Sequence, residues 1–323
     1  MIYIERPFIK GGWQVTHVPI TTGKTFKTKT PLKLKTKRTL VAYTFLTVPV
    51  LFFLCVRIFP TLYAFSLSFK AQGISGFTVI NYEELFKDSA FWRSVLNTFL
   101  YVIITVPLQM AFGLFIALGI ERIHHLKWFY RIIYFLPYIT STVAVSWVWR
   151  LMYDKNTGLL NHILSWFHIP PQGWLGDPKE ALISVSIVMI WQAMGFSMLI
   201  FMAGLQAIPR QFYEAAQIDG ASKWKMFWHI TFPLLNPTIV FLAVTGVISA
   251  LQTFTQIQNL TASSGGVAGG PLNSTSSMVV YMFNNAFTDF NMEYASAVTV
   301  TLFILILLVT LIQLRVLNRS YEY

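Results

Sequence analysis

The sequence predicts an all-α integral membrane protein with six transmembrane helices, and three observations carry that reading. The chain of 323 residues is 55% hydrophobic and only 11% charged, whereas soluble domains carry about 25% charge. Six apolar stretches each reach the ~20 residues that a helix needs to cross hydrocarbon. A single cysteine, Cys55, excludes a disulfide scaffold, and the low charge excludes disorder and coiled coil.

The stretches are 39–63, 95–120, 132–153, 181–204, 234–258 and 295–314. Lipid offers the backbone no hydrogen-bond partner, so apolar runs of this length read as helices. Barrel strands would be about half as long and would alternate in polarity. The first stretch follows 38 polar-to-basic residues and is too long for a cleaved leader, so it is expected to be retained.

Six spans place both termini on one side, and Lys and Arg choose the side. Of 24 such residues, 17 fall in 1–38, 121–131, 205–233 and 315–323, against five in the opposite connections. Cytoplasmic loops hold the excess of positive charge, so both termini are expected in the cytoplasm. The division that follows is a basic cytoplasmic tail at 1–38, a membrane domain at 39–314 that includes the loop 205–233, and a cytoplasmic tail at 315–323. The cluster Lys24, Lys27, Lys29, Lys33, Lys35, Lys37 and Arg38 reads as a topology signal touching anionic lipid, not as a nucleic-acid site. Gly23-Lys24-Thr25 resembles the end of a phosphate loop. That motif needs a glycine five positions before Gly23, and Val18 stands there.

The spans contain no Asp, Glu, Lys or His; their only charges are Arg57 and Arg150. A proton- or ion-coupled carrier usually needs titratable groups at mid-membrane. For the two arginines two readings stand: each snorkels to the interface, or the pair faces an external vestibule that attracts an anionic solute. His124 and His125 are adjacent and cannot share a helix face, so no metal site is expected. Nor is a catalytic residue.

Energy must then enter elsewhere, and the connection at 205–232 is the candidate. Pro209 suits the first turn of a helix. Phe212, Ala215, Ala216 and Asp219 recur at helical spacing, and Gly220 can end that helix in the left-handed conformation. Residues 221–231 predict a second short helix with Trp224, Phe227, Trp228 and Thr231 along one face. Two short helices bent about a glycine form a protruding knob; the competing reading is a helix lying on the membrane surface.

Glu214-Ala215-Ala216, Asp219-Gly220-Ala221, Phe227, Ile230 and Pro233-Leu234 resemble the EAA loop of permease subunits in binding-protein-dependent ABC importers. The likeness covers roughly residues 40–320. Tyr82, Asn97-Thr98, Leu136-Pro137-Tyr138 and Gly269-Gly270-Pro271 are similar to the carbohydrate-uptake branch, against which 263–268 reads as an insertion.

The resemblance implies a type I ABC importer permease fold in a bacterial cytoplasmic membrane. It makes the EAA loop a coupling helix seated in a cleft of an ATPase subunit. Glu214 would be the anchoring acid, Gly220 the turn, and Phe227 and Trp228 the cleft-packing aromatics, beside Ala215, Ala216, Asp219 and Ala221. By position relative to that loop, Tyr138, Thr142, Gln192 and Phe196 resemble sugar-facing residues of the larger maltose importer permease. Thr253, with Gln252 and Gln256, resembles its polar cluster in the next span. Tyr138/Thr142, Gln192/Phe196 and Gln252/Gln256 are each i, i+4 pairs, expected on one helix face. The implied partners are a second permease, a pair of ATPase subunits, an extracytoplasmic solute-binding protein and a carbohydrate, an acidic oligosaccharide such as alginate among the candidates. ATP and Mg would sit in the ATPase subunits, with no cofactor in this chain. The competing class is a self-sufficient secondary carrier or facilitator.

Overall fold

The computed structural model describes residues 32–71, 73, 76–123, 125–262 and 267–317. The basic tail before residue 32, most of the expected insertion and the chain end after 317 lie outside these. The chain forms two units, 1–58 and 59–323.

In the first unit, α1 (Leu32–Phe53) passes into a π-helical turn at Leu54–Ile58. Pro60 follows two residues later. A proline ring collides with the carbonyl four residues back and supplies no N–H, so widening the preceding turn accommodates it. The same pairing recurs at the π-helical turn Phe227–Thr231, two residues before Pro233.

The second unit opens with α2 (Phe59–Ser68) and α3 (Ile80–Lys87). Asn81 lies behind that turn and donates to the carbonyls of Ser68 and Lys70 at 3.1 and 2.6 Å. The long α4 (Ser89–Arg122) begins at Asp88, whose carboxylate accepts the Ala90 N–H at 2.7 Å, a side-chain cap worth about 1 kcal/mol.

Next come α5 (Lys127–Ile139) and α6 (Thr142–Met152), bent by 92° at Thr140-Ser141. This corrects the expectation of one continuous span at 132–153. Thr140 ends α5 by turning both its N–H and its hydroxyl onto the Leu136 carbonyl, three residues after Pro137 has interrupted the ladder. The short α7 (Leu159–Trp166) leads to α8 (Ala181–Ala207).

The connecting knob holds α9 (Arg210–Ile218) and α10 (Lys223–Met226); the latter runs through the π-helical turn into α11 (Phe232–Leu234). Then α12 (Asn236–Leu251) departs at 60° to the α10–α11 run and stops short. A non-helical segment at 252–254 separates it from α13 (Thr255–Thr261), so the expected span 234–258 is also broken. Finally α14 (Met278–Phe287) precedes α15 (Met292–Leu317).

Among the described residues, four helices are long and apolar enough to cross a membrane: Arg38–Ser68, Ser89–Arg122, Ala181–Ala207 and Met292–Val316. The two bent pairs raise the number to six if each serves as one span. The centre of the second unit is α8, which packs against α4, α5, α12 and α13. Close helix approach is set by glycine. A Cβ on Gly113 of α4 would lie 2.6 Å from the Ser197 Cβ of α8, and a Cβ on Gly195 of α8 would strike the Tyr134 carbonyl of α5.

Candidate functional site

Polar side chains converge where the two helix breaks meet α8. A cavity of about 620 Å³ opens there, and all seven residues expected along a solute path line it: Tyr138, Thr142, Gln192, Phe196, Gln252, Thr253 and Gln256. Their local arrangement differs from expectation. Tyr138 ends α5 while Thr142 starts α6 beyond the 92° bend, so the two do not share a helix face. Gln252 and Gln256 are likewise divided by the segment at 252–254. Only Gln192 and Phe196 remain one turn apart on one helix, α8.

The break in α12–α13 is held from outside. The Ser277 hydroxyl donates to the Thr253 carbonyl at 2.8 Å, supplying a partner that a continuous helix would have provided. The loop behind Ser277 is fixed to α4: Asn97 donates to the carbonyls of Asn273 and Ser276, both at 3.0 Å, and Thr98 accepts the Met278 N–H at 2.9 Å. Gly269 and Gly270, at φ +134° and +67°, let that loop reverse direction.

Within the cavity, Tyr138 and Phe196 stack across α5 and α8. The Gln192 amide donates to the Thr142 hydroxyl at 3.1 Å, and Gln256 donates to the Gln192 carbonyl oxygen at 3.4 Å. None of the lining residues is charged. Aromatic faces bounded by hydroxyls and carboxamides bind polyhydroxylated solutes through stacking and directional hydrogen bonds. Sequence reasoning missed Thr105 and Gln109 of α4, which line the same cavity. Gln109 is the single glutamine in its apolar span, and Gly246 faces it closely enough that a Cβ would lie 2.9 Å from its amide nitrogen.

Arg150 lies in a second recess of about 900 Å³ together with Lys155, Asp154, Asp177 and Glu180, so carboxylates outnumber cations along its wall. Its guanidinium donates to the Asn259 carbonyl at 3.4 Å and lies 5.2 Å from the Trp147 ring centre. Asp154 accepts from the backbone and hydroxyl of Thr157 and from the Asn156 N–H, which holds its carboxyl below the usual range. Arg57 belongs to the other unit, in the π-helical turn after α1.

The knob at 205–233 has the predicted bend. Gly220 takes φ +73° immediately after α9, with open space around it, so the backbone angle and not crowding selects glycine. The second helix starts at Lys223, not at residue 221, because the Ser222 hydroxyl caps it by accepting the Lys225 N–H; it also continues through Pro233. Pro209 stands one position ahead of the first turn of α9. Glu214, Ala215, Asp219 and Gly220 are exposed, and Ala216, Ala221 and Phe227 are half-buried. Glu214 has no hydrogen bond or ion pair among the described residues. Trp224, Phe227, Trp228 and Phe232 form one aromatic cluster, of which Trp224 is 71% exposed.

A broken-helix membrane bundle, with an uncharged central cavity and a protruding two-helix knob, defines a transport permease. Residues 86–323 match the model of the binding-protein-dependent transport system inner membrane component family, and the chain belongs to that family. It is 36% identical to the probable ABC transporter permease protein YesP of Bacillus subtilis, over 85% of this chain and 90% of that one. It is 33% identical to the sulfoquinovosyl glycerol transport system permease protein SmoG of Agrobacterium fabrum, over 74% of this chain and 75% of that one. Its fold matches a chain in the crystal structure of a bacterial ABC transporter involved in import of the acidic polysaccharide alginate. The TM-score is 0.79 at 23% identity, covering 91% of this chain and all of that one. The protein is therefore a multi-pass membrane permease of a binding-protein-dependent importer.

Proposed function

We propose that this permease carries a carbohydrate, an oligosaccharide or a glycosylated polyol, across a bacterial cytoplasmic membrane with both termini in the cytoplasm. The observation that supports the substrate class is the uncharged cavity in which an aromatic stack sits among Thr142, Gln192, Gln252, Thr253 and Gln256. The name of its relative SmoG, a sulfoquinovosyl glycerol transport system permease, also points to a carbohydrate. A solute carrying a negative charge would meet Arg150 outside that cavity, where Asp154, Asp177 and Glu180 oppose it. The cavity itself favours a neutral sugar.

In this reading the chain works with a second permease, a pair of ATPase subunits and an extracytoplasmic binding protein. ATP and Mg are bound in the ATPase subunits, and this chain has neither catalytic residues nor a cofactor of its own. The knob at 205–233 serves as the coupling element: Glu214 meets a basic group of the ATPase, and the Phe227–Trp228 cluster packs in its cleft. Closure of the ATPase pair moves the knob, and the permease pair turns from inward- to outward-facing as the binding protein delivers solute. Concentrating a solute tenfold takes about 1.4 kcal/mol, which this external drive supplies.

Reconstitution tests the proposal. Proteoliposomes with this chain alone are expected to take up no sugar, and those with the full set of partners to do so only with ATP. Uptake by the single chain without ATP would replace the proposal by a self-sufficient carrier. Calorimetry of the binding protein against neutral and acidic oligosaccharides then assigns the solute.

A further inference from the structure

Gln192 is buried, 6% exposed, and its carboxamide engages the two broken helical segments from opposite ends. Its nitrogen donates to Thr142, the first residue of α6 after the 92° bend. Its oxygen accepts from Gln256, in the first turn of α13 after the segment at 252–254. The ring stack of Tyr138 on Phe196 lies one helical turn away along α8. Each break is thus tied to the continuous helix α8 by one hydrogen bond to one side chain.

We propose that Gln192 is a positioning residue that registers whether the cavity is occupied. This deepens the transport reading above and rests on it for its consequence, though not for its geometry. In the empty cavity Gln192 holds the α5–α6 and α12–α13 breaks at a fixed separation. A solute hydroxyl competes for the same donor and acceptor, because a buried carboxamide left unpaired is costly and any arriving hydroxyl can satisfy either end. Once solute takes those positions, the two breaks lose their polar tie to α8, and ring stacking and helix packing are left to hold them. The bonds run in one direction, Gln256 to Gln192 to Thr142, so each polarises the next and loss of one weakens the other.

The test uses the full-length chain in lipid nanodiscs, with Cys55 replaced by Ser and spin labels at Ser141→Cys before α6 and Asn259→Cys in α13, neither of which lines the cavity. Gln192→Leu removes both bonds. Thr142→Val removes one at constant shape and serves as the check where Gln192→Leu folds poorly. Both variants should at least double the width of the label-to-label distance distribution without any solute. In the complete reconstituted importer both should raise solute-free ATP hydrolysis about threefold. A residue that only contacts sugar would change the concentration needed for uptake and leave both solute-free readings alone. If Thr142→Val keeps the parental width, the proposal is overturned, whatever Gln192→Leu does. The distance measurement needs no partner, so failure of the transport reading would appear separately, as absence of ATP-driven uptake by the unmodified complex.

Discussion

The Tyr138 and Phe196 rings lie 4.9 Å apart, centroid to centroid, with their planes 18° from parallel, and they join the end of α5 to the middle of α8. Tyr138 also stacks on Phe135, with centroids 5.5 Å apart, and both Tyr138 and Phe196 line the cavity. The stack is therefore a packing contact beside the α5–α6 bend, and under the proposed function it is also a platform for a sugar ring.

Replacing Tyr138 by Ala should lower kcat/KM for uptake about tenfold. An aromatic pair contributes about 0.5–1.5 kcal/mol beyond burial, and the platform is lost with it. Tyr138→Phe retains the ring and should stay within about twofold of the parent. Uptake kinetics of the reconstituted complex check this, and an Ala variant as active as the Phe variant would remove the stack from the solute path.

Glu214 lies on α9 with no hydrogen bond or ion pair among the described residues, and Gly220 turns the backbone beyond it. Glu214→Arg should leave the complex assembled while reducing coupled ATP hydrolysis and uptake about tenfold or more, since a hydrogen bond to a charged group is worth about 1.5–3 kcal/mol. Gly220→Val should impair coupling as well. A left-handed backbone costs a residue bearing a Cβ about 1–2 kcal/mol, and β-branching adds to that. Uptake unchanged in Glu214→Arg would count decisively against this knob as the coupling element.

The helix glycines should respond with opposite signs. Gly195→Ala drives a Cβ into the Tyr134 carbonyl, and Gly113→Ala brings one to 2.6 Å from the Ser197 Cβ; Gly119→Ala meets nothing within 4 Å. Overpacking costs about 1–3 kcal/mol, so the first two should lower the midpoint of thermal unfolding in detergent. Gly119→Ala should hold or raise it, because alanine favours a helix by about 1 kcal/mol. Equal shifts in all three would show that α8 is not seated through these glycines.

Asp154 titrates below the ordinary carboxylate range because Thr157 and Asn156 donate to its ionised form. A depressed carboxyl contributes its stability above its unfolded value, about 3.9, and loses it as pH falls through the folded one. Amide protection at Asn156 and Thr157 should therefore decline on acidification below about pH 4, and Asp154→Asn should abolish that dependence. Protection independent of pH in the parent would show that the turn is held by other contacts.

Much of this molecule is readable along the chain. The apolar runs around α1, α4, α8 and α15 declare themselves because lipid obliges a span to be long, helical and uncharged. The left-handed turn at Gly220 is legible because few other residues occupy that conformation cheaply. Even the seven cavity residues could be chosen from a resemblance together with their polarity inside apolar runs. Hydrophobic composition is the same for a straight helix and a bent one, so the breaks at Thr140-Ser141 and 252–254 left no mark in it. Pro137 hinted at the first; the second depends on Ser277, which caps the Thr253 carbonyl from 24 residues away.

What the sequence alone determined is thus the solvent of this protein, its helical content and the polar residues available inside its apolar runs, because these follow from local polarity. Tertiary structure decided that Tyr138, Thr142, Gln192 and Gln256 meet around one cavity. Hydrogen bonds and ring contacts between residues 50 to 64 positions apart hold them there, and no periodicity within a single helix encodes that.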